Sequence, residues 1–190
     1  EAHVEKPDES TLFANFPTFI ADHHAVEFLC DYVRLLTLGA SNSHEIEAVM
    51  DRELELHHEE QNGYVNGIQS MADGAPAMGI VAAVLGVILT MGSITEPPEI
   101  LGKLIGAALV GTFAGILGSY GLFAPIAAAL RVAFASDASY MACIKAAIVG
   151  HMQGYAPQIS IEFARKQLAS DVRPTFAEVE TMIQTVPAPS

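Results

Sequence analysis

The stretch GAPAMGIVAAVLGVILTMGSIT, Gly74 to Thr95, runs for 22 residues without an Asp, Glu, Lys, Arg or His. A second stretch, LIGAALVGTFAGILGSYGLFAPIAAAL, Leu104 to Leu130, adds 27 more. At about 1.5 Å of rise per residue, each crosses a hydrocarbon core of about 30 Å as a helix. The expected fold is therefore all-α: a membrane hairpin of two transmembrane helices, about 74–95 and 104–130, with helical segments before and after it. The connection from Glu96-Pro97-Pro98-Glu99 to Lys103 is short, and its paired prolines are expected to keep it non-helical. A soluble protein with two buried core helices is the competing reading, and two long uncharged runs weigh against it.

Composition points the same way. Hydrophobic residues make up 51% of the 190 and charged residues only 16%, with a mean hydropathy of +0.35, which leaves more apolar surface than a soluble domain of this length absorbs. Charge divides the chain into three regions. Residues 1–73 hold 15 acidic and 3 basic side chains, 74–130 hold only Glu96, Glu99 and Lys103, and 131–190 hold five of each sign. The acidic head excludes nucleic acid, whose phosphates need clustered Lys and Arg, and favours either a basic protein surface or plain solvation. Eight of the nine Lys and Arg lie outside the hairpin turn, which predicts that both ends are cytoplasmic.

The head reads as helices. From Phe19 to Leu38, the spacing of Val26, Leu29, Val33 and Leu36 marks one buried face. Asn42 with Glu45 three residues on has the pattern of a capping box, opening a helix whose apolar side is Ile46, Val49, Met50 and Leu54. After the second span, helix is expected through Val132–Val149, a break at Gly154-Tyr155-Ala156-Pro157, a helix over Ile159–Leu168, and a last amphipathic segment after Arg173-Pro174. The end, Val186 to Ser190, is expected to be disordered. Glu1 is not an initiator Met and no secretory leader opens the chain, so the sequence is read as a fragment. Cys30 and Cys143 lie far apart and read as free thiols.

Within the spans there is no Asp, Glu, Lys, Arg or His. An ion path needs a group that binds and releases the ion, and such groups are nearly always ionisable; this chain would wall a path without supplying its relay. Gly102, Gly106, Gly111 and Gly115 form small-xxx-small steps that let helix backbones approach closely. The polar residues at membrane depth are Thr90, Ser93, Thr112, Ser119 and Tyr120. A Ser or Thr hydroxyl usually bonds the carbonyl one turn back, and Thr112, on the glycine-rich face, is the strongest functional candidate. Pro76 closely follows Asp73 and is expected in the first turn of its helix. Pro125 frees the Gly121 carbonyl inside a continuous apolar helix and predicts a kink or hinge. His57, His58, Glu59 and Glu60, with Glu53 one turn earlier, suggest a metal site; the solvated helix end is favoured, because only Glu53 and His57 clearly share a face. No catalytic arrangement stands out, so neither an enzyme nor a resident cofactor is expected.

Residues 72–87, ADGAPAMGIVAAVLGV, resemble the third transmembrane helix of flagellar motor stator proteins, the MotA branch of the MotA/TolQ/ExbB proton channel family. Residues 104–121 are similar to the fourth. The likeness extends through Glu5-Lys-Pro, Phe16-Pro17 and Asp31-Tyr-Val-Arg34 in the head, and through Gly154-Tyr-Ala-Pro157, Glu162-Phe-Ala-Arg-Lys166 and Arg173-Pro-Thr-Phe176 in the tail. The resemblance implies a subunit of an inner-membrane stator in which five copies surround two copies of MotB, whose intramembrane Asp relays protons. Proton flow then drives the rotor protein FliG. It also implies that Pro76 and Pro125 correspond to two functionally important prolines. Ala83, Thr112 and Tyr120 would line or border the ion path, and Glu1 and Glu53 would engage the rotor. The family's first two spans and its key head arginine fall before Glu1. The surroundings of Ala83 look more like the proton-driven than the sodium-driven branch. An energiser of the ExbB and TolQ type is the nearest rival, and a non-conducting membrane scaffold is the rival from another class. The acidic head and the motif at Arg173-Pro174 favour the stator.

Overall fold

The computed structural model describes residues 2–185. Their regular elements are all helical. Short turns α1 (Ala2–Glu5) and α2 (Pro17–Ile20) precede α3 (His23–Thr37), α4 (Ser43–Gly92), α5 (Pro98–Ile116), a π-helical segment (Leu117–Phe123), α6 (Ala124–Met152), α7 (Pro157–Gln167) and α8 (Phe176–Thr185). The chain divides into two compact units, one of residues 1–57 and 135–190, the other His58–Phe134. Glu1 and the end 186–190 lie outside the described residues, and with them the expectations placed there.

The first unit is built on an apolar core. Ala25, Phe28 and Tyr32 of α3 meet Ile46 and Met50 of α4 and Met141, Ile148 and Val149 of α6. Each large side chain buried this way contributes about 1.5–3 kcal/mol of transfer free energy. The head helix starts later than its apolar spacing suggests, because Asp22 caps it: its Oδ1 accepts from the Ala25 N–H at 3.1 Å. Its buried face is centred on Ala25, Phe28 and Tyr32, with Leu29 and Leu36 at the margin. In α4, Ile46 and Met50 are buried as the periodicity predicts, but Val49 is exposed. Asn42 caps α4 by accepting from the His44 N–H at 3.2 Å.

Salt bridges and caps complete this unit. Lys145 of α6 reaches Asp51 at 2.6 Å and Glu47 at 3.7 Å on α4. Gly150 of α6 lies so close to Ser160 of α7 that a β-carbon there would sit 3.1 Å from the hydroxyl. Gly154, at a φ of 82°, turns the chain out of α6. Arg165 forks onto Glu162 and donates to the Pro174 carbonyl at 2.9 Å, and Arg173 donates to the Leu168 carbonyl. A capping box opens α8: the Thr175 N–H donates to Glu178 at 2.6 Å, and the Glu178 N–H donates back to the Thr175 hydroxyl at 3.3 Å. Cys30 is buried, Cys143 half-buried, and both are free thiols.

The second unit carries both apolar runs. Their large side chains are mostly uncovered: Leu89 is 71% exposed, Phe113 65% and Ile88 60%. The helical stretches Ser43–Gly92 and Pro98–Met152 are long and apolar enough to cross a membrane, and an apolar surface this extensive belongs against lipid or other helices. Two details differ from expectation. The link is shorter, because α5 already begins at Pro98 with Pro97 before it; a first-turn proline loses nothing, its N–H having no partner there anyway. Pro76 is not a first-turn residue but sits deep inside α4. It therefore removes the bond to the Ala72 carbonyl in mid-helix.

Candidate functional site

The second unit's helices meet through small residues. A β-carbon on Gly79 of α4 would lie 2.8 Å from the Gly111 carbonyl of α5, 3.1 Å from the Gly115 α-carbon and 3.2 Å from the Thr112 α-carbon. One on Gly115 would lie 2.6 Å from the Ala75 carbonyl, and one on Gly111 2.8 Å from the Ala82 β-carbon. Two turns further along α4, Gly86 faces Ala108, whose α-carbon would be 2.8 Å from an added β-carbon. No other residue type fits such main-chain approach, and in lipid this packing replaces the hydrophobic drive.

Thr112 sits inside this seam. Its hydroxyl lies 3.5 Å from the Gly79 carbonyl, at the outer edge of hydrogen bonding, so it is loosely held and oriented across the helix pair. Thr90 behaves differently: its hydroxyl donates to the Gly86 carbonyl one turn back at 2.8 Å, the structural role expected of a membrane threonine. Ala83 borders the seam, its nitrogen 3.5 Å from a β-carbon placed on Gly111. Gly102 and Gly106 have open space where their β-carbons would be and take no part in this helix contact.

Beyond the seam the second span changes its winding. Leu117–Phe123 is a π-helix, in which the Ala124 N–H reaches back five residues to the Ser119 carbonyl. Pro125 follows directly. Having no N–H, it serves neither the Gly121 carbonyl, its α-register partner, nor the Tyr120 carbonyl, its π-register partner. The disturbance expected at Pro125 thus takes the form of a widened turn before it. Ser119 in that turn is buried at 2%, while Tyr120 is 71% exposed.

Of the acidic residues singled out in the head, Glu53 is held by a neighbouring side chain. Glu53 accepts from the Tyr32 hydroxyl at 2.6 Å; burial first, then this bond and the charge of Glu53, hold the Tyr32 phenol far above its usual range. His57 turns its Nε2 to Asp137 at 3.3 Å, away from a shared ligand set with Glu53. The structure therefore unites Thr112, Ala83, Gly111 and Gly115, places Tyr120 and Pro125 in and just after the π turn, and leaves Glu53 in the other unit. Sequence reasoning missed Gly79 and Gly86, although Gly79, Ala82, Ala83 and Gly86 recur at the three-and-four spacing of one helix face.

Comparison with known proteins fits this architecture. Residues 21–142 match the model of the MotA/TolQ/ExbB proton channel family. Motility protein A of Escherichia coli (strain K12) is 43% identical over 189 residues, covering 100% of this chain and 64% of its own length. Chemotaxis protein LafT of Vibrio parahaemolyticus is 32% identical over 180 residues, 95% of this chain and 63% of its own. The chain thus spans a little under two thirds of the curated relatives it matches. The solved structure of C. jejuni MotAB superposes with a TM-score of 0.72 at 25% identity, over 90% of this chain and 66% of that one. Apolar helices joined by a glycine seam, matched across residues 21–142 and by relatives along nearly the whole sequence, establish that this chain belongs to the MotA/TolQ/ExbB proton channel family.

Proposed function

We propose that this chain forms part of a subunit of the ion-driven stator of the bacterial flagellar motor. The observation that carries the reading is a pair of apolar helices packed through Gly79, Gly111 and Gly115, with the Thr112 hydroxyl at their seam and no Asp, Glu, Lys, Arg or His in either apolar run. Such a pair walls an ion path but needs a neighbour to supply the titrating carboxylate. A MotB-type partner is that neighbour, as the likeness to C. jejuni MotAB supports. The subunit is a channel and motor component, not an enzyme, and the transported ion is a proton. It assembles as a ring, five copies by family likeness, in the inner membrane.

The placement of Lys and Arg supports a topology with both ends of this sequence on the cytoplasmic side. There the acidic head engages the rotor protein FliG. Glu53, exposed on α4, is one contact, with its carboxylate oriented by Tyr32; Glu1 is the other.

The test is complementation of a non-motile strain lacking its own stator subunit, using the full-length gene with and without a MotB-type partner. Swimming restored only with that partner supports the reading. Restoration of energised outer-membrane uptake in its place would assign the chain to the ExbB and TolQ type. Membrane insertion with neither activity and no co-purifying partner would leave a scaffold.

A further inference from the structure

Main-chain hydrogen bonding along the second span is interrupted at the Tyr120 carbonyl. In the π turn Leu117–Phe123 the Ala124 N–H donates to Ser119, five residues back, so the donor that an α-helix would give Tyr120 is already engaged. The donor that a π-helix would give it belongs to residue 125, a proline, which has none. The same proline withholds the α-register donor from the adjacent Gly121 carbonyl. Local side chains do not replace these donors: a helix carbonyl points toward the turn that follows it, and Gly121 to Leu130, GLFAPIAAAL, contains no side chain able to donate.

The interruption lies on the side of the helix turned away from its packing face. Ser119 is 2% exposed and Ala127 is fully covered, whereas Tyr120 is 71% exposed, and Gly121 and Pro125 are exposed with it. Gly121 also keeps the approach open, because a β-carbon there would meet only the Leu117 side chain, 3.1 Å from its Cδ1. An acceptor thus stands on an open face inside a run of 27 uncharged residues, Leu104 to Leu130. Hydrocarbon offers it no donor, and an unsatisfied main-chain carbonyl in that medium is costly.

From this geometry we infer that the Tyr120 carbonyl, with the Gly121 carbonyl beside it, is a binding site for a water molecule within the second span. Water fits both the chemistry and the space. It is small enough to enter a widened turn beside a glycine, and it carries two O–H groups for two carbonyls one residue apart. A buried water needs at least two polar partners, and the two carbonyls supply that number. Its oxygen keeps lone pairs for a further hydrogen bond, so the site places one fixed hydration point on a wall that carries no Asp, Glu, Lys, Arg or His. That use in a channel rests on the stator reading, whereas the site itself rests only on the span. A donor side chain on a neighbouring helix is the competing occupant, and solvent exchange tells the two apart.

The experiment reads the carbonyl itself. The full-length protein is produced with tyrosine carrying heavy isotopes of carbon and oxygen in its carbonyl and is held in nanodiscs. Subtracting the infrared spectrum of Tyr120→Phe isolates the carbonyl of residue 120. The expected band lies at the low frequency of a hydrogen-bonded carbonyl and shifts promptly when water is replaced by heavy water, before the protected amides of the span exchange. In Pro125→Ala, which returns a main-chain donor, the prompt shift should disappear while the band stays low. A band at the high frequency of an unbonded carbonyl would overturn the proposal. So would a low band indifferent to heavy water in the wild type, which would assign the donor to a neighbouring helix. Radiolytic hydroxyl labelling of the unaltered protein gives a second reading if a variant fails to fold: bound water should mark Tyr120 more than Phe113, a ring of the same span that is 65% exposed. Labelling of Tyr120 no greater than that of Phe113 would count equally against the site.

Discussion

A β-carbon placed on Gly115 would lie 2.6 Å from the carbonyl oxygen of Ala75, nearer than side chains approach main chain in real structures. The two helices therefore touch backbone to backbone at this level. Gly115→Ala must force them apart, and overpacking of this kind costs about 1–3 kcal/mol. Gly106→Ala, with open space at that position, should cost nothing by the same route. Thermal unfolding of the two variants in detergent separates the cases; equal stability would show that the seam is not what joins the spans.

The widened turn Leu117–Phe123 lies directly before Pro125. A π turn holds one residue more than the α-helix around it, so deleting Gly121 should restore a continuous α-helix with the flanking faces still in register. Pro125→Leu should act on the same feature by returning a main-chain donor. Both variants are expected to reach the membrane and to abolish swimming in the complementation assay. Wild-type swimming by either would reduce the π turn to a tolerated irregularity.

The Tyr32 hydroxyl donates to Glu53 at 2.6 Å from a buried ring. Tyr32→Phe removes the donor and keeps the ring, while Glu53 rehydrates. A loss of about 1 kcal/mol is expected, with the Glu53 side chain freed. If that orientation matters for rotor engagement, torque in a tethered-cell assay should fall although stator assembly persists; unchanged torque would remove Tyr32 from the rotor-facing surface.

Acid should loosen the tail in a defined direction. The side-chain bond from Arg165 holds Glu162 below the usual carboxylate range, and the Thr175 N–H and hydroxyl do the same for Glu178. A depressed folded value means that the stabilisation is fully present above the ordinary carboxylate value of about 4.3 and is lost as pH falls through the depressed values. Amide exchange of α7 and α8 should therefore stay slow at pH 5 and rise only in stronger acid. In Glu178→Ala, which removes the acceptor, α8 should exchange faster already at neutral pH; an unchanged α8 would count against the capping box.

Much of the fold is legible in the residues alone because it follows from local chemistry. Uncharged runs of 22 and 27 residues specify spans, since a buried charge in lipid is costly wherever the helix lies. The breaks after α6 and α7 follow from Gly154 and from Arg173-Pro174. The missing relay is equally a property of composition. Other features depend on how one helix is rotated and slid against another. Gly111 and Gly115 carry the seam and Gly102 and Gly106 do not, because only the first pair faces Gly79; all four look alike in the sequence. Pro76 looked like a helix start because Asp73 stands close before it, yet a helix begun at Ser43 runs on through it to Gly92. The stacking of His24 on His57, which are 33 positions apart, arises only when α3 and α4 pack in one core. Local pattern determines which segments are helical and apolar; which side chains meet is decided by the packing of those helices, where a rotation of one residue brings different atoms together.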